Sequence, residues 1–208
     1  MSDMTKQDAL QRFVSTKINR LYLQKDAGVS AAIAELAQLR RGAGKVPTGY
    51  PHLMGMVLVL ENEDKEDKQA FPEQCRGKGD RPNDAELAAY TALTLFALHQ
   101  QSQNKPMHDA KVSFGRAVGK LVGNTTSSMK KRFDSLLTAQ TENARQHYLR
   151  SLITLLRSKS IAFNYGQFAV DYMYLQNPST RKNVLYRWNC EFSYGLVPPR
   201  SEDSKTTE

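Results

Sequence analysis

Nine cations stand between apolar positions in one stretch of this chain: Arg116, Lys120, Lys130, Lys131, Arg132, Arg145, Arg150, Arg157 and Lys159. From Lys105 to Ser160 there are 11 Lys and Arg against 3 acids, Asp109, Asp134 and Glu142, a net of +8. The whole chain of 208 residues carries 29 against 21, also +8, so everything outside that stretch balances at 18 against 18. A surface that gathers cations and omits the usual interspersed acids meets polyanions, nucleic acid above all. Each phosphate neutralised releases a counterion, which gives salt-sensitive affinity that does not depend on base sequence. Arg116 and Lys120, four apart, share one helix face. Arg150 and Arg157, seven apart, share another. Lys130, Lys131 and Arg132 read as the start of a helix, where cations oppose the dipole and gain little as structure. Phosphate contact explains them better. Phe114, Phe133 and Tyr165 are spaced as core, so the expected contacts are to backbone and not to stacked bases.

Catalysis needs a constellation, and the sequence offers none. The histidines, His52, His99, His108 and His147, are scattered, and none stands four residues from a second beside an acid. The acidic run Glu61 to Asp67 is interrupted by Lys65 and reads as a solvated loop. Asp171 and Glu191 lie in apolar helices, as partners for Arg or Lys across a bundle. No Ser or Cys stands in a nucleophile motif. Gly42-Ala43-Gly44-Lys45 fails as a phosphate-binding P-loop, because Leu39 replaces its first glycine and Val46 the magnesium-binding hydroxyl. Cys75 and Cys190 lie far apart and read as free thiols of a reducing cytoplasm. The expectation is a protein that is not an enzyme and uses no metal or cofactor.

The elements that must position these cations are helical. Apolar residues recur at helix spacing in Phe114, Val118 and Leu121, in Met129, Phe133, Leu136 and Leu137, and in Leu149, Leu152, Ile153 and Leu156. Upstream, Thr5 and Asp8 form a capping pattern for a helix to about Gln24, and Ser30 is set to cap a short helix that Arg40 and Arg41 close. Helix-end preference alone accounts for that Arg pair as well as a phosphate contact does. PHLMGMVLVL, 51–60, reads as a buried helix, and 61–84 as a long polar surface loop. Asn83 and Glu86 open a helix that is apolar on most sides. Asn164 and then Asn177-Pro178 begin the last two helices. No alternating strand is convincing. The predicted class is all-α, a bundle of roughly eight to nine helices in two small subdomains. These are 1–104 and a basic 105–194, joined through QSQNKPMHD at 101–109 and followed by a disordered tail, 195–208. No apolar run is long enough to span a membrane, and 40% hydrophobic content suits a globular chain with a polar surface.

The ordered series SFGRAVGKL, KKRFDSLL, LRSLITLLRS, FNYGQFAVDY and RWNCEFS, with LRRG upstream, resembles the small subunit of the type I-E CRISPR Cascade complex, the CasB family. The resemblance runs from about Leu39 to Tyr194. It implies a non-catalytic subunit whose copies contact one another along the complex, beside its backbone and large subunits. There it would help hold the guide RNA–target DNA hybrid and the displaced strand, with pairing reading the sequence and protein cations holding backbone. It maps the family's basic positions onto Arg41, Arg116, Lys131, Arg132 and Arg150, and favours a phosphate contact for the Arg40-Arg41 pair. The polar loop 61–84 is longer than the family's compact members lead one to expect. A free-standing helix-turn-helix regulator is the competing class, with KKRFDSLL as recognition helix, although VGNTTSS is long for the tight turn. A hydrolase using the acidic loop is a weaker third.

Overall fold

Nine α-helices, two short 3-10 turns at Pro47–Gly49 and Glu73–Cys75, and one two-stranded hairpin are the regular elements among the described residues. The computed structural model describes residues 4–61, 68–123 and 127–197. The helices are α1 Lys6–Asp26, α2 Ser30–Gly42, α3 Pro51–Val57, α4 Asp84–His99, α5 Phe114–Val122, α6 Ser127–Thr138, α7 Glu142–Ser158, α8 Tyr165–Gln176 and α9 Pro178–Leu196. The all-α class holds.

Most starts follow from local chemistry. Thr5, Ser113, Thr141 and Asn164 each accept a hydrogen bond from the backbone N–H three residues on. Asn83 and Glu86 close a reciprocal capping box. Asn177 caps α9, and Pro178 occupies its first turn, where no N–H is needed. Ser30 departs from expectation. It is the first residue inside α2, and Val29, which has no side-chain acceptor, holds the cap position.

The segment predicted as one buried helix divides in two. After α3, in which only Leu53 and Val57 are buried, the chain forms β1, Val59–Glu61, antiparallel to β2, Lys68–Ala70, with Val59 opposite Ala70. The hairpin corrects the expectation of no strand. The Phe71 N–H donates to the Leu58 carbonyl at 2.8 Å, and Leu60 and Phe71 both enter the core. Val57-Leu58-Val59-Leu60 is rich in branched residues, which favours such pairing. The predicted polar loop is therefore anchored on its far side, where Asn83 Nδ2 holds the Cys75 carbonyl at 2.9 Å. Its residues 62–67 lie outside the described residues, as do 198–208 of the expected tail, and α9 runs two residues past Tyr194.

At the centre is α4, buried without interruption from Ala88 to His99, which an all-round apolar helix requires. It packs against α1, α2, α7 and α8, while α5 lies along α9 and α6 along α7. An aromatic cluster of Phe96, Phe114, Phe163, Tyr165, Phe168 and Trp188 joins α4, α5, α8 and α9, its paired ring centres 4.1–6.1 Å apart. Each such pair adds roughly 0.5–1.5 kcal/mol beyond its buried area. The Trp188 indole N–H donates to Asp171 at 2.7 Å, and Arg187 pairs with the same carboxylate. That meets the expectation of a cross-bundle partner for Asp171. Buried Lys17 donates to the Met56 and Val59 carbonyls and pairs with Glu35 at 2.9 Å, tying α1 and α2 to the hairpin.

Candidate nucleic-acid interface

On α5, Gly115 and Gly119 turn toward α9, so Arg116 and Lys120 are left exposed. A Cβ on Gly119 would lie 2.1 Å from the Phe192 carbonyl oxygen, and one on Gly195 would lie 2.3 Å from that of Arg116. The two backbones touch, and of the side chains next to the glycines Phe114 and Val118 enter the core while Arg116 and Lys120 point out. Glu191 of α9 lies between, with its carboxyl pushed up by burial and drawn back by Ser113, Arg187 and Arg116.

In α6, Phe133 and Leu136 are buried, and Lys130, Lys131 and Arg132 stand exposed beside them. They begin at the fourth residue of the helix and not at its first, so the free N–H groups of the N-terminus lie a turn behind them. Lys130 pairs with Asp134 at 2.8 Å, four residues on, and Arg132 Nη1 donates to Ser151 Oγ of α7 at 2.5 Å. Exposed pairs of the first kind contribute little and open readily to a competing phosphate. The Lys131 side chain makes no hydrogen bond or ion pair with any described residue.

The cations of α7 sort differently. Arg145, expected on an outward face, is buried; its guanidinium pairs with Glu142 at 3.0 Å and lies 3.5 Å from the Ala139 carbonyl. Glu142 in turn accepts from Gln146 and from the buried Tyr172 hydroxyl, so this cation sits in a closed polar network. Arg157 Nη1 donates to Gln101 Oε1 at 2.6 Å and to the Leu98 carbonyl at 3.4 Å, closing the end of α4. Arg150 remains exposed, yet its Nη1 reaches the Ala43 carbonyl at 2.5 Å across 107 positions of sequence. The approach depends on Gly44, which has φ +74° and whose added Cβ would lie 2.7 Å from Arg150 Cβ. Arg150 thereby brings the basic face of α7 against the end of α2, where Arg41 is exposed and Lys45 lies 4.4 Å over the Tyr50 ring. Arg40 is half-buried and lines a cavity of about 250 Å³ with Lys25, Gln100 and Gln101.

Between α6 and α7 runs an open cleft of about 290 Å³ lined by Arg132, His147, Arg150, Ser151, Thr154 and Leu155. His147 and Ser151 are additions to the sequence reading. Their signal was present, since 147, 150, 151 and 154 fall on one helix face, but nothing local marked that face as facing α6. Among the described residues no three His, Cys, Asp or Glu side chains gather as a metal ion would require. No described helix is long and apolar enough to cross a membrane.

Fold and face together define a class: an all-α protein with exposed cations on α5, α6 and α7, and an arginine of α7 that reaches the end of α2. Residues 35–192 match the family of the CRISPR-associated protein Cse2. The chain is similar to the crystal structure of CasB from Thermobifida fusca at 29% identity and a TM-score of 0.69, covering 88% of this chain and 97% of that one. It also shares its fold with a CRISPR-associated protein of the Cse2 family from Thermus thermophilus, at 23% identity and a TM-score of 0.61 over 89% of this chain and 97% of that one. None of the curated proteins compared with the chain matches it. This protein belongs to the Cse2 (CasB) family, the small subunit of type I-E CRISPR Cascade.

Proposed function

We propose that this protein is a non-catalytic, nucleic-acid-binding subunit that stabilises the guide RNA–target DNA hybrid and the displaced strand of a CRISPR surveillance complex in the cytoplasm. The observation that carries the reading is the segregation of exposed cations. Arg116, Lys120, Lys130, Lys131, Arg132 and Arg150, with Arg41 across the Gly44 contact, stand on α5, α6, α7 and the end of α2. Their partners are few, weak or exposed, so phosphate oxygens compete for them at small cost. Arg40, Arg145 and Arg157 serve differently in this reading, since the last two already commit their donors to holding helices together. Cations spread over the end of α2 and over α5, α6 and α7, and not gathered on one recognition helix, favour backbone contact, and sequence is left to guide pairing.

The test is to purify the tagged chain from its native host at low salt and identify what accompanies it. Short guide RNAs with other Cascade subunits in fixed stoichiometry are the expected result. A lone protein bound to genomic fragments that share one sequence would contradict it and favour a regulator.

A further inference from the structure

The outward face of α9 is unlike the rest of the surface. Tyr186 is 74% exposed, Tyr194 64% and Val197 68%, and half-buried Cys190 lies between the two tyrosines at four-residue spacing. At that spacing the side chains form one ladder along the helix, with about 12 Å between the tyrosine positions. Lys182, Asn183, Arg187, Asn189 and Ser193 surround it, all exposed. The only acid of α9 is Glu191, which is turned against Gly115 of α5, where Arg116 acts on it together with Arg187 of its own helix, itself paired with Asp171 of α8. The buried side of the same helix packs on basic helices: Phe192 stacks on Phe133 of α6 at 4.8 Å, and Gly195 abuts the Arg116 backbone of α5.

An exposed aromatic pair rimmed by Lys182, Arg187 and amide side chains, with the one acid of its own helix turned to α5, matches a ligand with both π-faces and negative charge. We propose that Tyr186 and Tyr194 form a base-stacking platform for single-stranded nucleic acid, continuous with the phosphate-contacting face of α5 and α6. The proposal rests on the reading of that face as a nucleic-acid surface and adds to it a mode of contact. Stacking is indifferent to base identity, because every base offers a π-face, so it adds affinity for unpaired strand without adding sequence preference. A duplex, whose bases are already stacked, gains nothing from it. The platform therefore selects the displaced strand over the hybrid.

The test uses the purified full-length chain, a mixed-sequence single-stranded DNA and an abasic strand of equal length, with affinity read by fluorescence anisotropy. Y186A/Y194A is expected to lose roughly thirtyfold or more on the base-bearing strand and nothing on the abasic one, with its salt dependence kept. Y186F/Y194F, which keeps the rings, should bind as wild type does. Equal binding of both strands by the wild type, or unchanged binding by the alanine variant, overturns the platform. Failure of the alanine variant to enter the assembled complex while its strand affinity is intact also overturns it, and makes the ladder a protein-docking face. Lys131→Ala with Arg132→Ala separates the two readings, since it should weaken both strands alike. If it weakens neither, the phosphate face has failed and not the platform alone.

Discussion

Arg145 and Lys131 are both cations on neighbouring helices, fourteen positions apart, yet they serve the molecule in different ways. Arg145 is enclosed with Glu142, Gln146 and Tyr172, so removing it leaves a carboxylate without its cation in a low-dielectric site. Arg145→Ala should cost on the order of 3 kcal/mol in chemical denaturation. Lys131→Ala should stay within about 0.5 kcal/mol and show its effect in nucleic-acid binding. Sequence spacing placed both on helices with success but could not separate them, because the partner that draws Arg145 inward lies three residues away and the network that encloses it comes from α8. His99 is the residue through which pH acts on the core. Burial, outweighing the pull of the Leu156 carbonyl, with Arg157 adding to the effect, pushes its pKa down to about 3. The unfolded chain then binds a proton that the folded one refuses. This contribution to stability is complete above the ordinary histidine value near 6.5 and declines as pH falls from there toward 3. From pH 6.5 to 5 the loss should be about 2 kcal/mol. Asp171 and Glu191, raised by burial, work in the opposite direction in the acid range. Comparing denaturation of wild type and His99→Gln at both pH values isolates the histidine, and equal slopes would contradict the account.

Helix ends were the most legible elements, because a cap is settled among four neighbouring residues. Asn83 with Glu86, Asn164, and Asn177 with Pro178 each carry their instruction locally. The hairpin was not legible, since β1 and β2 are three residues each and their pairing depends on what Leu60 and Phe71 find in the core. Nor was the contact of α5 with α9, which depends on three glycines that look unrelated in sequence. Gly119→Ala forces a Cβ against the Phe192 backbone, where no flexible side chain can yield. It should cost about 2–3 kcal/mol, read as a lowered melting temperature, and should tilt Arg116 and Lys120 with the displaced helix. A wild-type melting temperature would show that α5 has room the geometry denies.

At the scale of the whole molecule, charge segregation was visible from composition alone: 105–160 holds the entire excess. What composition could not show is that Arg150 carries that face across to Ala43, uniting cations that the sequence keeps more than a hundred positions apart. A face joined this way is a property of packing, with Gly44 as the clearance for Arg150. The central claim is that exposed cations on this face meet phosphates. It is tested most directly by the salt dependence of single-stranded DNA binding to the full-length chain, wild type against K130A/K131A/R132A. The account predicts weaker binding and a log–log slope shallower by roughly 1.4–2.1, about 0.7 for each of two or three phosphates released, with the circular dichroism spectrum unchanged. Equal affinity and an equal slope would contradict it.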